Sequence, residues 1–140
     1  EIARFIHRFG FFPLFGKAQG LRQPIHAADV ATACLATLET VKISERIYSI
    51  TGNETIAYRE MVSRVFIVMG RTVRIVRLPL WVFRFAVLLL RILPPYRQWT
   101  SVMAERMNQD LVFDSSDAVS DFRFKPKNFI LSDEDIPKRV

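Results

Sequence analysis

The chain has 140 residues, 50% of them hydrophobic and 24% charged, which suits one globular domain with a modest core and excludes a disordered chain. Twenty Lys and Arg against fourteen Asp and Glu give a formal charge of +6, which favours anionic partners without choosing among phosphates, nucleic acid and membrane surfaces. The single cysteine, Cys34, excludes an internal disulfide and any site built from several cysteines.

Apolar residues at helical spacing mark the start of the chain. A helix is predicted over residues 2–9, because apolar side chains recur there every three or four positions: Ile2, Phe5, Ile6 and Phe9. Gly10 is expected to end this helix. The apolar run 11–16 is a loop or a short strand, and residues 16–20, with a glycine at each end, are expected to form a turn.

An extended segment and a second helix follow. Residues 21–25 are expected to be extended, because the proline within them restricts the residue before it. Asp29 is predicted to begin a helix that runs to about Thr40, with its carboxylate accepting hydrogen bonds from free amides near the first turn. Cys34 lies in the apolar part of this helix, so a buried structural thiol is expected.

The middle of the chain repeats the alternation of strand and helix. A strand is predicted over residues 46–50, with a turn after it at Gly52 and Asn53. The next helix is expected over residues 58–69 and ends at Gly70. Alternating apolar and charged residues over 73–77 indicate a half-buried strand.

The last third is expected to be mainly helical. An apolar helix fits between Pro79 and Pro94, a shorter one fits residues 100–108, and Ser115 or Ser116 is expected to cap one more before residue 122. Helices that alternate with short strands predict the α/β fold class.

Chemistry that this chain could perform alone finds little support. Its five glycines, at positions 10, 16, 20, 52 and 70, do not have the spacing of a dinucleotide-binding turn, and no phosphate-binding P-loop is present. Neither His7 nor His26 has the sequence context of a general base. No region offers enough His, Cys or paired carboxylates to predict a metal site.

The segment that begins at Arg22 is more informative. It reads Arg22-Gln-Pro-Ile-His-Ala-Ala-Asp-Val-Ala and places an arginine at a strand edge, seven residues before the expected helix start. A guanidinium fixed there could bind a phosphate through two hydrogen bonds. A surface arginine before an ordinary helix cap explains the spacing equally well, and the pattern alone does not decide between the two.

The same segment resembles the Arg-x-x-(Ile/Val)-His-(Val/Ala)-x-Asp-(Val/Leu)-Ala motif of the extended short-chain dehydrogenase/reductases, the NAD-dependent epimerase/dehydratase family. The resemblance continues in order through Tyr48-Ser-Ile-Thr-Gly, Tyr58-Arg-Glu-Met-Val, Asp110-Leu-Val-Phe-Asp and Phe124-Lys-Pro. It implies an α/β fold, the C-terminal lobe of a Rossmann-like enzyme. Residues 1–140 would then form a single partial domain on the substrate side, with the N-terminal dinucleotide-binding domain missing from this chain.

The resemblance also implies a set of substrate-binding residues. The family's arginine contacts the diphosphate of a nucleotide-sugar, and that role falls on Arg22; His26 would tether the strand to the helix. The family's Arg-x-Gly-Asp stretch matches only in part, since Asp110 fits its aspartate but Met107 stands at its arginine position. Arg106 could replace that arginine only if the backbone shifts, and the alternative for Asp110 is a cap or an ion pair.

The family's catalytic pattern is absent. It combines a glycine-rich cofactor turn with Tyr-x-x-x-Lys, in which the lysine lowers the pKa of the tyrosine. The tyrosines here, at positions 48, 58 and 96, are followed four residues later by Gly, Val and Thr. The chain is therefore expected to hold no cofactor and no catalytic residue and to be inactive alone, with NAD or NADP bound by the full-length parent.

The apolar stretch 80–93 raises the question of a membrane. Fourteen helical residues span about 21 Å, less than the roughly 30 Å of a hydrocarbon core, and Arg84 and Arg91 oppose insertion. Burial against the missing domain or in a homo-oligomer is expected before peripheral contact with a membrane surface, which the positive charge would assist.

These observations favour the substrate-binding portion of a sugar-nucleotide epimerase or dehydratase, located in the cytoplasm or at a membrane periphery. The expected partners are a nucleotide-sugar or another phosphorylated substrate and the missing cofactor domain. One alternative is a non-catalytic accessory relative similar to a subunit of respiratory complex I, and another is a basic membrane-surface interaction module. Nucleic acid is not expected, because no aromatic-interleaved basic motif is present.

Overall fold

The computed structural model describes residues 1–40, 47–90 and 102–136. They belong to two compact units. The first unit comprises Glu1–Leu21, Ala57–Asp110 and Leu131–Val140, and the second comprises Arg22–Ile56 and Leu111–Ile130. The expectation of a single partial domain over residues 1–140 stays a prediction.

The elements alternate between helices and short strands. The helices are α1 (Ile2–Phe9), α2 (Ala27–Glu39), α3 (Tyr58–Val68), α4 (Leu80–Leu90), α5 (Val102–Glu105) and α6 (Ser116–Phe122). The strands are β1 (Phe12–Phe15), β2 (Leu21–Arg22), β3 (Ile56–Ala57) and β4 (Ile75–Leu78), and short 3-10 turns cover Arg106–Asn108 and Asp133–Asp135. The predicted α/β class is confirmed at this level.

The first unit is built around a parallel strand pair. Strand β1 pairs with β4 in the register Phe12 to Ile75 through Phe15 to Leu78. Helices α1 and α3 share the apolar cluster that includes β1, whose buried members are Ala3, Ile6, Phe12, Leu14, Ala18, Val62, Val65 and Phe66. Parallel strands such as β1 and β4 need a long crossover connection between them. Most residues of this core lie in segments that are close in sequence to one of the two strands.

The boundaries of α1 and α3 follow the sequence pattern closely. Gly10 ends α1 in the left-handed region, with φ 74°, and its amide donates to the carbonyl of Ile6 at 2.9 Å. Gly70, also in the left-handed region with φ 63°, comes directly after Met69, the C-cap residue of α3. Both helices were predicted within one residue because their apolar period and their terminal glycine agree.

The second unit is a smaller cluster on α2 and α6. Its buried members are Ala33, Ala118, Phe122 and Phe124. The ring of Tyr48 packs edge-on against that of Phe122, with centroids 5.2 Å apart, and the Tyr48 hydroxyl donates to Asp121 Oδ2 at 2.7 Å. Phenylalanine rings packed on alanines let α2 lie close to α6.

Helix α2 corrects two predictions. It begins at Ala27 rather than Asp29, and the residue that caps it is His26. The thiol of Cys34 is exposed rather than buried, although its neighbour Ala33 is 1% exposed. Successive residues of a helix are about 100° apart around its axis, so Ala33 and Cys34 point in different directions from α2. Within this unit only the face of α2 that carries Ala33 is covered.

The predicted strand over residues 46–50 is wrong where the structure describes it. Residues 47–50 have no strand assignment, and residue 46 lies outside the described part of the chain. Ile47 is fully exposed while Tyr48 and Ile50 pack on the cluster of the second unit. The alternation in the sequence therefore reflects alternating burial, but no strand among the described residues pairs with this backbone.

The apolar helix α4 is shorter in its described part than the predicted span and leaves a row of side chains exposed. Trp81, Phe85, Leu88 and Leu89 are 70%, 59%, 64% and 53% exposed. Arg84 forms an ion pair with Glu105 at 2.7 Å. Positions 91–94 of the predicted helix lie outside the described residues, as do positions 100 and 101 of the next.

Asp114, rather than a serine hydroxyl, makes the polar contact at the start of α6. Ser115 is the N-cap residue without a capping bond from its side chain, and the Asp114 carboxylate accepts from the amide and the hydroxyl of Ser116 at 2.9 and 2.8 Å. These two hydrogen bonds, the amide first, lower the pKa of the Asp114 carboxyl.

Gly52 marks a close approach of two backbones in the second unit. Its amide donates to the carbonyl of Gln23 at 3.3 Å, and a Cβ at this position would overlap the carbonyl oxygen of Pro24. The backbone of Gly52 is outside the left-handed region, so the requirement for glycine here is one of space.

We expect Gly52→Ala to lower the free energy of unfolding by about 1–3 kcal/mol, because a methyl group must displace backbone rather than a flexible side chain. Ser49→Ala, an exposed change three residues earlier, should stay within about 0.5 kcal/mol. Urea denaturation of both variants tests the close approach. Equal stability of the two variants would contradict it.

Candidate functional site

Arg22 lies in the second unit at the edge of a strand, as the sequence predicts. The residue is half-buried, and its backbone forms a parallel bridge with Leu111. The next residue, Gln23, is held twice: its Oε1 accepts from the amide of Phe113 at 2.8 Å and its carbonyl accepts from Gly52. The backbone that carries Arg22 is therefore fixed on both sides.

His26 ends the extended segment and begins α2. Its Nδ1 accepts a hydrogen bond from the amide of Ala28 at 3.1 Å, while its backbone remains extended. A side chain that satisfies a first-turn amide stabilises a helix by about 0.5–2 kcal/mol. This contact makes His26 the N-cap of α2, and the role that the family resemblance implies for it stays a prediction.

The carboxylate of Asp29 does not cap α2 as predicted but binds a distant backbone amide. This carboxylate is buried, and Oδ2 accepts from the amide of Lys127 at 2.9 Å instead of from the first turn of α2. The contact joins residues 98 positions apart in sequence. Nothing in the local pattern around Asp29 distinguishes this long-range partner from a helix cap.

Arg106 and Asp110 lie in the first unit, whereas Arg22 lies in the second. Arg106 opens the 3-10 turn and is exposed. Oδ1 of Asp110 accepts from the amide of Leu21 at 2.8 Å. Met107, which stands where the resemblance would place an arginine, packs against the core of the first unit.

Asn108 is the structural residue that sequence reasoning missed. Its Nδ2 donates to the carbonyls of Phe15 and Ala104 at 2.8 and 3.2 Å, and its Oδ1 accepts from the amide of Ala18 at 2.9 Å. One carboxamide thus satisfies three backbone groups. No sequence signal at Asn108 indicates this, because its partners in the loop are about ninety positions away.

The loop that Asn108 contacts, residues 16–20, is held from several directions. Ala18 is buried in the left-handed region, with φ 48°, and its carbonyl accepts from Arg59 at 3.2 Å. The amide of Gly20 donates to Met107 at 3.2 Å and its carbonyl accepts from Tyr58 at 2.9 Å. A Cβ at Gly20 would overlap the carbonyl oxygen of Gln109. The amides that open α3 thus find their partners in this loop.

The described parts of the chain hold neither a metal-site cluster nor a membrane-spanning helix. No group of three or more His, Cys, Asp and Glu side chains there has the arrangement of a metal site. None of the helices in those parts is both long and apolar enough to span a bilayer.

No protein-family model matches the sequence, and no curated protein matches it. Solved structures do match in fold. The UDP-glucuronic acid 4-epimerase from Bacillus cereus, in complex with UDP-glucuronic acid and NAD, aligns with 89% of this chain at a TM-score of 0.61 and 19% identity. DesIV, a dTDP-glucose 4,6-dehydratase from Streptomyces venezuelae with NAD and TYD bound, aligns with 96% at 0.61 and 14% identity.

The dTDP-glucose 4,6-dehydratase from Bacillus anthracis gives a TM-score of 0.58 at 16% identity over 89% of this chain. The alignments cover 32%, 34% and 32% of these three proteins. The chain therefore spans about a third of the length of the structures that it matches. Its fold resembles part of the NAD-dependent epimerases and dehydratases, which confirms the family resemblance at the level of fold.

We expect Asn108→Ala to destabilise the chain by about 2–4 kcal/mol, because three backbone groups lose their partner together. Asn108→Asp keeps an acceptor for Ala18 but sets a negative charge against two carbonyl oxygens, so it should not rescue stability. Asn128→Ala, which removes one exposed hydrogen bond to Asn53, should cost less than about 1 kcal/mol. Thermal and urea denaturation give the comparison, and full stability of Asn108→Asp would contradict the account of this carboxamide.

Proposed function

We propose that this chain is the substrate-binding portion of an NAD(P)-dependent sugar-nucleotide epimerase/dehydratase-like protein, and that Arg22 binds the diphosphate of the nucleotide-sugar. One observation carries the proposal. The chain aligns over 89% of its length with part of an epimerase whose structure contains both UDP-glucuronic acid and NAD.

The position of Arg22 supports a role in phosphate binding. A guanidinium binds a diphosphate best when its fork is presented in one orientation. The backbone of Arg22 is held by the bridge to Leu111 and by the contacts of Gln23, so little conformational freedom of the main chain is lost on binding. Half-burial also strengthens a charge–charge contact relative to one in open water.

Arg106 and Asp110 are secondary candidates in this proposal. Oδ1 of Asp110 already holds Leu21 in place, which leaves Oδ2 to accept from a hydroxyl or ring N–H of a nucleoside. Arg106 is exposed at the start of the 3-10 turn and could approach a phosphate from solvent. Both residues are expected to contribute less than Arg22, since Oδ1 of Asp110 is already bound to the amide of Leu21 and Arg106 is exposed to solvent.

Hydride transfer is assigned to a part of the parent protein outside these 140 residues. The sequence contains neither the glycine-rich cofactor turn nor Tyr-x-x-x-Lys, so we propose that the chain is inactive alone. A separate N-terminal domain would bind NAD or NADP and supply the tyrosine that exchanges the proton. The substrate-binding residues of this chain would orient the sugar towards that domain.

An accessory role without catalysis is the second candidate, and α4 favours it. The exposed row of Trp81, Phe85, Leu88 and Leu89 is the kind of surface that a protein assembly covers. The sequence of the parent ahead of Glu1 distinguishes the two candidates. A glycine-rich turn together with Tyr-x-x-x-Lys would support an enzyme, and loss of the tyrosine or the lysine would support the accessory relative.

Calorimetric titration with UDP-glucuronic acid tests the role of Arg22. We expect Arg22→Ala to weaken binding by about tenfold to a hundredfold, the value of one or two charge-assisted hydrogen bonds. The affinity of Arg22→Lys should lie between those of the parent chain and Arg22→Ala, because lysine keeps the positive charge but lacks the planar, two-pronged guanidinium. Arg74→Ala removes an exposed arginine of the first unit and should leave the affinity unchanged.

Uridine is the matched ligand control for this titration, since it lacks the diphosphate. Its affinity, whatever the value, should be the same for the parent chain and for Arg22→Ala. Equal binding of UDP-glucuronic acid by the parent chain and Arg22→Ala would remove Arg22 from the proposed site.

A further inference from the structure

A cavity in the second unit, whose lining does not include Arg22, has the chemistry of an anion-binding site. It measures about 210 Å³ and opens between α2 and the segment that follows α6. On the side of α2 the lining side chains are small, namely Ala28, Thr32, Ala33 and Ala36. The space exists because these residues carry so little bulk opposite two phenylalanine rings.

The other wall combines buried aromatic rings with exposed cations. Phe122 and Phe124 line the cavity and are 6% and 5% exposed. Arg123, Lys125 and Lys127 line it as well, and all three are exposed. Phe122 and Phe124 thus contact the core, while the intervening and following cations, Arg123, Lys125 and Lys127, are accessible to solvent.

The backbone that carries the three cations is fixed at both ends. At one end Arg123 adopts the left-handed conformation, φ 55°, and the amide of Phe124 donates back to the carbonyl of Ala118 at 3.2 Å. At the other end the amide of Lys127 donates to Asp29 Oδ2 at 2.9 Å. A segment already ordered in this way pays little conformational entropy when it binds a ligand.

The cations are not neutralised within the described residues. The side chains of Arg123, Lys125 and Lys127 form no ion pair or hydrogen bond there, whereas Arg64 and Arg84 pair with Glu60 and Glu105 at 2.7 Å. Among the described lining residues Asp29 supplies the single carboxylate, so three cations and one anion leave a net charge of +2 around the cavity. Such an excess attracts a divalent anion.

We infer that this cavity binds the phosphate group of a small phosphomonoester, with Lys125 and Lys127 as its main ligands and Arg123 beside them. The cavity is smaller than the roughly 300–1,000 Å³ of sites for drug-sized ligands, which favours a compact molecule. The buried rings of Phe122 and Phe124 are not open to stacking, so a single-stranded nucleic acid would find no platform here. The site is separate from the proposed diphosphate contact at Arg22.

Nuclear magnetic resonance titration of the 140-residue chain with glycerol 3-phosphate tests the inference. Saturable amide shifts are expected in residues 28–33 and 122–127, and glycerol alone should cause none. Lys125→Gln combined with Lys127→Gln should weaken binding by about tenfold or more, since two charge-assisted contacts are lost. Arg74→Gln combined with Arg77→Gln removes the same charge from exposed positions of the first unit and should leave the affinity unchanged.

Two further variants separate a cavity from a general charge effect and from the site at Arg22. Ala28→Leu fills the cavity without changing the charge and should weaken binding, whereas Ala31→Leu, exposed on the same helix outside the lining, should not. Arg22→Ala should bind glycerol 3-phosphate as the parent chain does. Failure of the proposed function would therefore leave this site intact, and the reverse also holds.

The same phosphate chemistry occurs on soluble metabolites and on lipid headgroups. Binding to vesicles of phosphatidylcholine, with and without phosphatidic acid, distinguishes the two sources. If the ligand is a soluble metabolite, glycerol 3-phosphate should saturate the site and the chain should bind neither kind of vesicle. Binding to phosphatidic acid vesicles that is lost in the Lys125 and Lys127 variant would assign the site to a lipid headgroup. Absence of any localised shift, or an equal loss in the Arg74 and Arg77 variant, would overturn the inference.

Discussion

The carboxamide of Asn108 is the contact on which the first unit depends. A loop with a buried alanine in the left-handed conformation has amides and carbonyls that lie outside any regular helix or strand pairing, and buried backbone groups without partners cost about 1–3 kcal/mol each. Asn108 accepts from the amide of Ala18 in this loop and donates to the carbonyls of Phe15, just before the loop, and of Ala104. Through Gly20 and Leu21 the loop leads directly in sequence into Arg22, the first residue of the second unit.

The second unit is held together by several polar contacts rather than by one side chain. It has a small apolar cluster, and polar contacts between distant segments hold its parts together: Asp29 with the amide of Lys127, Gln23 with the amide of Phe113 and Tyr48 with Asp121. Each joins residues more than seventy positions apart. Long-range pairs of this kind fix the two surfaces to which we assign anion binding, the strand edge at Arg22 and the cavity beside α2.

Local patterns predicted the elements that are decided locally. Helices α1 and α3 were placed closely because an apolar period and a terminal glycine agree, and the extended segment at Arg22 was expected from its proline. The pattern misled at Asp29, which was expected to cap its own helix but binds a distant amide. It also misled at residues 47–50, which alternate in burial without pairing to a strand of the described residues. The sequence could not single out Asn108, because its structural role depends on backbone groups that come close to it only in the folded chain.

The central claim is that the Arg22 guanidinium contacts a diphosphate. The Nε–Hε resonance of this arginine, followed by nuclear magnetic resonance while UDP or uridine is added to the 140-residue chain, reports on that contact directly. We expect UDP to shift and saturate the Arg22 signal while uridine leaves it in place, since uridine lacks the diphosphate to which the guanidinium is proposed to donate. An Arg22 resonance that stays fixed while UDP binds elsewhere, or that moves equally with uridine, would contradict the account.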